Sequence, residues 1–145
     1  MTLHMIKLSV GTESLEELAA YKAEQAELSE REAGRRFAWH TTRMVPTRRD
    51  ALLDGGSVYW VIRGEIRARQ RLLDLRESTD EAGRRACVLE LDPTLVKVVP
   101  RARRPFQGWR YLKPEDAPPD LAEHGDETAE MPEWMRAELR ELGLL

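Results

Sequence analysis

The run Ser57-Val58-Tyr59-Trp60-Val61-Ile62-Arg63 is apolar at consecutive positions, so both alternating sides of an extended segment would need cover. That fits a central strand. Asp54-Gly55-Gly56 interrupts the chain before it, as a helix-ending turn or, alternatively, as a turn in an active site. Gly64 marks a bulge or bend after it, and Glu65–Leu75 alternates well enough to be the next strand. Whatever else the chain does, it must build a sheet around residues 57–63.

The flanking segments supply the rest. Leu3–Val10 reads as an opening strand. Ser14-Leu15-Glu16-Glu17 is a capping-box pattern, with Ser14 as N-cap and Glu17 three residues on. A helix runs from there to Gly34, with Leu15, Leu18, Tyr21 and Leu28 near one face. Phe37–Met44 suits a strand, and Pro46 opens one or two helical turns ending at Leu53. Asp80–Gly83 is a turn that pairs Ala86–Leu91 back as a hairpin, and Thr94–Val99 is a further strand. Residues 114–130 read as an irregular acidic connection. Residues 131–143 form a closing helix in which Pro132 fits the first turn and Met131, Trp134, Met135, Leu139 and Leu142 make the apolar stripe. This order predicts an α+β fold: a curved antiparallel sheet or small open pseudo-barrel, flanked by an N-terminal and a C-terminal helix. At 145 residues the chain is expected to form a single domain over 1–145.

Several chemistries are unfavoured. Cys87 is the sole cysteine, so there is no intramolecular disulfide and no multi-thiolate site, and its place in Ala86–Leu91 suits a buried strand thiol. His4, His40 and His124 lack metal-ligand spacing, so no metal is expected. No phosphate loop, dinucleotide fingerprint or nucleophile elbow occurs, and no cofactor is expected. Residues 1–7 lack the apolar core of a signal peptide, and no stretch approaches the ~20 apolar residues of a membrane span. No membrane partner and a cytoplasmic protein are therefore expected.

Charge is unevenly placed. Residues 1–33 carry a net −4, residues 34–113 a net +9 and residues 114–145 a net −8. Either the acidic ends fold back on the basic middle, or the middle faces a polyanion.

Two stretches carry a resemblance. Gly55–Gly64, continuing through Ile66-Arg67-Ala68-Arg69-Gln70, and Phe106-Gln107-Gly108-Trp109-Arg110-Tyr111-Leu112 with Pro114–Leu121 resemble a bacterial family catalogued as domain of unknown function 1489. The opening strand and helix fit as well. The resemblance brings no catalytic role to any residue. A looser, fold-level likeness is to PUA and ASCH type pseudo-barrels, which implies RNA as a partner.

Three constellations could carry chemistry. Arg67, Arg69 and Arg71 on one strand would share a face at about 6.6 Å intervals, extended by Arg63 if Gly64 keeps the register. Planar guanidiniums suit phosphate oxygens, and the alternative is pairing across to Glu90 or Asp92. Second, Arg101, Arg103, Arg104 and Arg110 interleave with Phe106, Trp109 and Tyr111, the mixture that holds single-stranded nucleic acid; otherwise the aromatics are core anchors. Third, His40 beside Thr41 and Thr42 could act in acid–base catalysis with Glu65 or Asp54. The leading expectation is a non-catalytic, RNA-preferring nucleic-acid-binding domain. The alternatives are a small hydrolase acting on a nucleoside or nucleotide-like anion, or a protein-interaction module using the closing helix.

Overall fold

The computed structural model describes residues 1–122 and 141–142. Its elements are β1 (His4–Leu8), α1 (Leu15–Ala33), β2 (Ala38–Thr42), α2 (Arg49–Leu53), β3 (Ser57–Ile62), β4 (Glu65–Thr79), β5 (Arg85–Leu91), β6 (Val96–Ala102) and β7 (Trp109–Leu112). A 3-10 turn follows at Pro114–Asp116. The closing helix expected over 131–143 falls almost wholly outside the described residues, although Leu142 packs against the core.

The sheet has seven strands in the order β2-β5-β4-β3-β1-β7, with β6 also paired to β4. The wholly antiparallel sheet expected above is corrected in one place: β1 runs parallel to β3, with Met5 opposite Val58 and Lys7 opposite Trp60. A parallel pair needs a crossover connection, and α1, β2 and α2 supply it. The sheet is open rather than closed.

The expected bend at Gly64 is a two-residue hairpin turn in which both Arg63 and Gly64 have positive φ, 51° and 78°. The 15-residue β4 organises the rest. Its first half lies between β3 and β6, and its second half pairs with β5. β5 and β6 follow one another along the same edge of β4, so this long hairpin curves the sheet.

Every residue of β3 is buried, because the sheet is covered on both sides. On the first side Met5, Val58, Trp60, Ala68 and Leu89 meet Leu15 and Leu18 of α1 and Leu52 of α2. On the second side Ile6, Tyr59, Val61, Ile66, Val98 and Leu112 form a smaller core, against which Phe106 and Ala117 pack. Two chain segments cross this second side: the loop 103–108 between β6 and β7, and residues 114–120 returning from β7 to β6. The return is pinned by Val99 N donating to Pro119 O (2.9 Å) and Leu121 N donating to Lys97 O (2.9 Å).

Helix α1 begins and ends as its sequence predicts. Ser14 Oγ accepts from Glu17 N (3.1 Å), and Gly34 closes the helix in the left-handed region at φ 73°. Its buried face differs from expectation. Leu15 and Leu18 are buried, but Tyr21 and Leu28 are exposed, and the inward stripe continues through Lys22, Gln25, Ala26 and Ser29.

Candidate nucleic-acid interface

The three strand arginines do not form a line. The β3–β4 register shifts between Trp60 and Val61, and the β4–β6 register shifts between Ile66 and Ala68. Arg67 is the extra residue of this bulge. It is 6% exposed, its Nη2 lies 3.4 Å from Glu65 Oε1, and its Nε has no hydrogen-bond partner. Only Arg69 and Arg71 keep the second side, opposite Tyr59 and Ser57.

Arg69 is occupied. Its Nε and Nη2 donate to the two carboxylate oxygens of Asp120, both at 2.7 Å, and its Nη1 donates to Ser57 Oγ at 3.0 Å. The bidentate fit matches the planar guanidinium to the planar carboxylate. Here one carboxylate of the described C-terminal segment, that of Asp120, meets the basic middle. Arg71 is exposed. Glu90, offered above as a cross-strand partner for these arginines, instead takes Arg35 (3.1 Å) and Arg76 (2.8 Å).

The second arginine group stays together. Arg103 N donates to Gly64 O (2.8 Å), which sets the loop 103–108 beside the turn that carries Arg63. Phe106 packs on the second core, with the Arg103 guanidinium 5.5 Å and the Arg110 guanidinium 5.7 Å from its ring centre. Arg101, Arg103, Arg104 and Arg110 are exposed. Among the described residues none of these four has a carboxylate within ion-pair distance; Arg101 donates instead to Asp116 O at 2.7 Å. Arg63 reaches Glu13 at 3.6 Å across open surface, a contact worth about 0–1 kcal/mol.

Trp109 and Tyr111 point the other way. Each alternates with Arg110 along β7 and faces the first side, where the two rings meet edge to face at 4.8 Å. Trp109 is buried and donates from Nε1 to Met44 O (2.7 Å). The Tyr111 hydroxyl accepts from Thr47 N (3.0 Å) and Arg48 N (3.1 Å). They anchor the loop that follows β2 and do not offer faces to a base. Only Phe106 of the three predicted aromatics lies among the arginines.

The predicted acid–base set is not brought together. Asp54 binds the N-terminal amine (3.1 Å) and the Thr2 hydroxyl, at the start of β1. Glu65 pairs with Arg67. His40 sits beside Trp60, ring centres 5.5 Å apart and nearly perpendicular. Burial, together with the charges of Lys7 at the far end of β1 and of Lys22, pushes its imidazole down to about 4. The Asp54-Gly55-Gly56 turn ends α2: Gly56 N donates to Leu52 O, and a Cβ at Gly56 would meet Leu3 O at 2.2 Å. Close backbone approach accounts for this glycine.

Polar residues of the first side escaped the sequence reading. Lys22 is 2% exposed; its Nζ donates to Trp39 O (2.8 Å) and Gln25 Oε1 (3.3 Å) and stands 5.3 Å over the Trp60 ring. Burial lowers its ammonium to about 8. Gln70 receives Trp60 Nε1 (2.9 Å) and donates to Asp92 O (2.9 Å). A signal for the first of these was present. Leu15, Leu18, Lys22, Gln25 and Ser29 keep the three-and-four spacing of one helical face after its apolar residues stop.

No group of metal-ligating side chains occurs among the described residues, and no described helix is long and apolar enough to cross a membrane. A family model described as "Protein of unknown function (DUF1489)" matches residues 5–145. No curated protein and no solved structure matches the chain.

Proposed function

The chain belongs to the DUF1489 family, a description that assigns no activity, and we propose that it is an RNA-preferring, non-catalytic single-strand-binding domain. Its contact surface is Arg63, Arg101, Arg103, Arg104 and Arg110 around Phe106. Arg67 and Arg69, internally engaged, are not part of it. The observation that supports this reading is the Phe106 ring held against two exposed guanidiniums that have no described carboxylate partner. Stability alone gives little reason for this arrangement, since exposed charges contribute about 0–1 kcal/mol each. A strand of nucleic acid would use both parts. Phosphates take the guanidiniums, while one base stacks on the arginine–phenylalanine layer for about 1–3 kcal/mol.

Fluorescence anisotropy with a labelled single-stranded RNA of about ten nucleotides tests the reading. Affinity should fall as salt rises, with a log–log slope near −0.7 for each phosphate neutralised. Arg103→Ala and Arg110→Ala should each weaken binding and flatten that slope by roughly 0.7. Phe106→Leu should weaken binding about tenfold, the loss of one stacked base, with the slope unchanged. The matching DNA strand and a duplex should bind less tightly. Absence of binding at low salt, or a slope near zero, overturns the proposal.

A further inference from the structure

Between the start of β1 and the return segment 114–120, the second side of the sheet holds a cavity of about 320 Å³. That is near the lower bound of small-molecule sites, ~300 Å³. His4 of β1, Tyr59 of β3, Arg69 of β4 and Asp120 of the return line it together. Pro114, Pro118 and Pro119 with Ala117 make its non-polar wall. The two stretches that carry the family resemblance therefore meet here. Residues 55–70 supply Tyr59 and Arg69, and residues 114–121 supply the wall and Asp120. The function proposed above uses none of these residues.

The charges of the lining cancel. Among the described residues that line the cavity only Arg69 and Asp120 are charged, and they bind one another through two bonds of 2.7 Å. An incoming phosphate or carboxylate would meet the Asp120 carboxylate, and an ammonium would meet the Arg69 guanidinium. An uncharged polar ligand avoids both. Hydrogen-bonding capacity remains for it. His4 Nδ1 accepts from Ser57 N (3.0 Å), so the proton of the neutral ring lies on Nε2. Burial first, and the Arg69 charge second, hold the imidazole's pKa below its ordinary value and favour that neutral form. The Tyr59 ring meets it edge to face at 5.1 Å and fixes its plane. His4 makes no further hydrogen bond among the described residues. The Asp120 carboxylate, with about four acceptor sites, has given two of them to Arg69. One donor and one acceptor thus border a cavity of zero net charge, beside a wall of proline rings. Their complement is a flat, uncharged ring whose edge shows an acceptor next to a donor, as every nucleobase does.

We infer that this cavity receives a single unpaired nucleobase, which accepts from His4 Nε2–H and donates to the Asp120 carboxylate. A carboxylate side chain accepts from the cytosine amine in the same way when proteins read base edges in DNA. The cavity and the arginine surface share one side of the sheet, and Arg101 Nη1 donates to Asp116 O in the segment that forms the wall. The choice of a nucleobase among neutral heterocycles rests on the strand-binding reading; the cavity and its two offered groups do not.

The probes are cytidine, uridine, adenosine and guanosine, which carry no phosphate and so bypass the arginine surface, with ribose as control. In ¹H–¹⁵N spectra of the intact labelled protein at pH 7, the Arg69 Nε and the Ala117 and Asp120 amide resonances should shift saturably with at least one nucleoside. Ribose should leave them in place. Half-saturation is expected on the order of millimolar. His4→Asn can put an amide oxygen where Nδ1 accepts while removing the Nε2 donor, and it should weaken the response about tenfold, the loss of one hydrogen bond. Asp120→Asn should do the same, compared once its Val99 and Leu121 amides exchange as in wild type. The labelled RNA then identifies the source of the base. Weaker RNA binding by His4→Asn with an unchanged salt slope assigns it to the bound strand, and unchanged RNA affinity assigns a free nucleoside; both support the cavity. No saturable shift from any of the four nucleosides, an equal shift from ribose, or an undiminished response in His4→Asn overturns the proposal. Absence of RNA binding with the nucleoside response intact sinks the strand-binding reading alone.

Discussion

His40 ties its position in the fold to a measurable pH dependence. In the unfolded chain an imidazole takes its proton near 6.5; in the fold, burial first and the Lys7 and Lys22 charges second hold it to about 4. The folded state thus binds the proton less readily, and stability present above pH 6.5 is lost as pH falls toward 4. The loss amounts to about 3 kcal/mol, the energy of a shift of this size. Urea denaturation near pH 7 and near pH 4.5, in chloride buffer free of phosphate and carboxylate, should show it. His40→Gln should have the shallower profile, and equal pH dependence in the two proteins would exclude this account. Sequence named His40 for its neighbouring hydroxyls. What sets its behaviour is burial first, and then two lysines that lie 33 and 18 positions away along the chain, surroundings created only by folding.

At the scale of elements, α1 does for β2 what a neighbouring strand would do. β2 is an outer strand of the sheet, and an outer strand presents unpaired backbone groups to solvent. Gln25 Oε1 accepts from Trp39 N (3.1 Å), and Lys22 Nζ donates to Trp39 O. Ser29 Oγ both accepts from Phe37 N and donates toward Phe37 O, each at 2.9 Å. The helix caps were legible because Ser14, Glu17 and Gly34 act locally. The polar strip was not, because amphipathic periodicity assigns buried positions to apolar residues, and this helix turns hydrogen-bonding side chains inward. Gln25→Ala with Ser29→Ala should destabilise the protein by about 2–4 kcal/mol, two buried backbone donors losing their acceptors. The freed edge should also promote self-association. Chemical denaturation reads the first effect and light scattering the second. Arg67 shows the same limit within a strand. Arg67, Arg69 and Arg71 alternate in sequence, yet Arg67 falls in the bulge and is left without a paired position while Arg69 and Arg71 keep theirs, and register belongs to pairing rather than to pattern.

For the whole molecule, the basic middle and acidic ends posed a choice between internal neutralisation and an external partner. The described part of the C-terminal segment divides the two. Asp120 engages Arg69 with both oxygens, while Glu115 and Asp116 are exposed and make no described ion pair. The return across the second side thus depends on one charged contact and two backbone bonds, Val99 N to Pro119 O and Leu121 N to Lys97 O, which together make the Val98–Asp120 bridge. Asp120→Ala removes the bidentate acceptor of Arg69, a quarter exposed, while Ser57 Oγ still accepts from its Nη1. The cost should fall between that of a surface pair and that of a buried one, about 1–3 kcal/mol. It should also appear locally, as faster hydrogen exchange at the Val99 and Leu121 amides, with the β3 and β4 amides protected as before. In Arg69→Met the same substitution at 120 should cost markedly less, because the carboxylate then has no guanidinium to lose. If the two changes instead add independently, the segment is held by its backbone bonds and by Ala117 packing, and the Arg69–Asp120 pair is incidental to how the acidic end is placed.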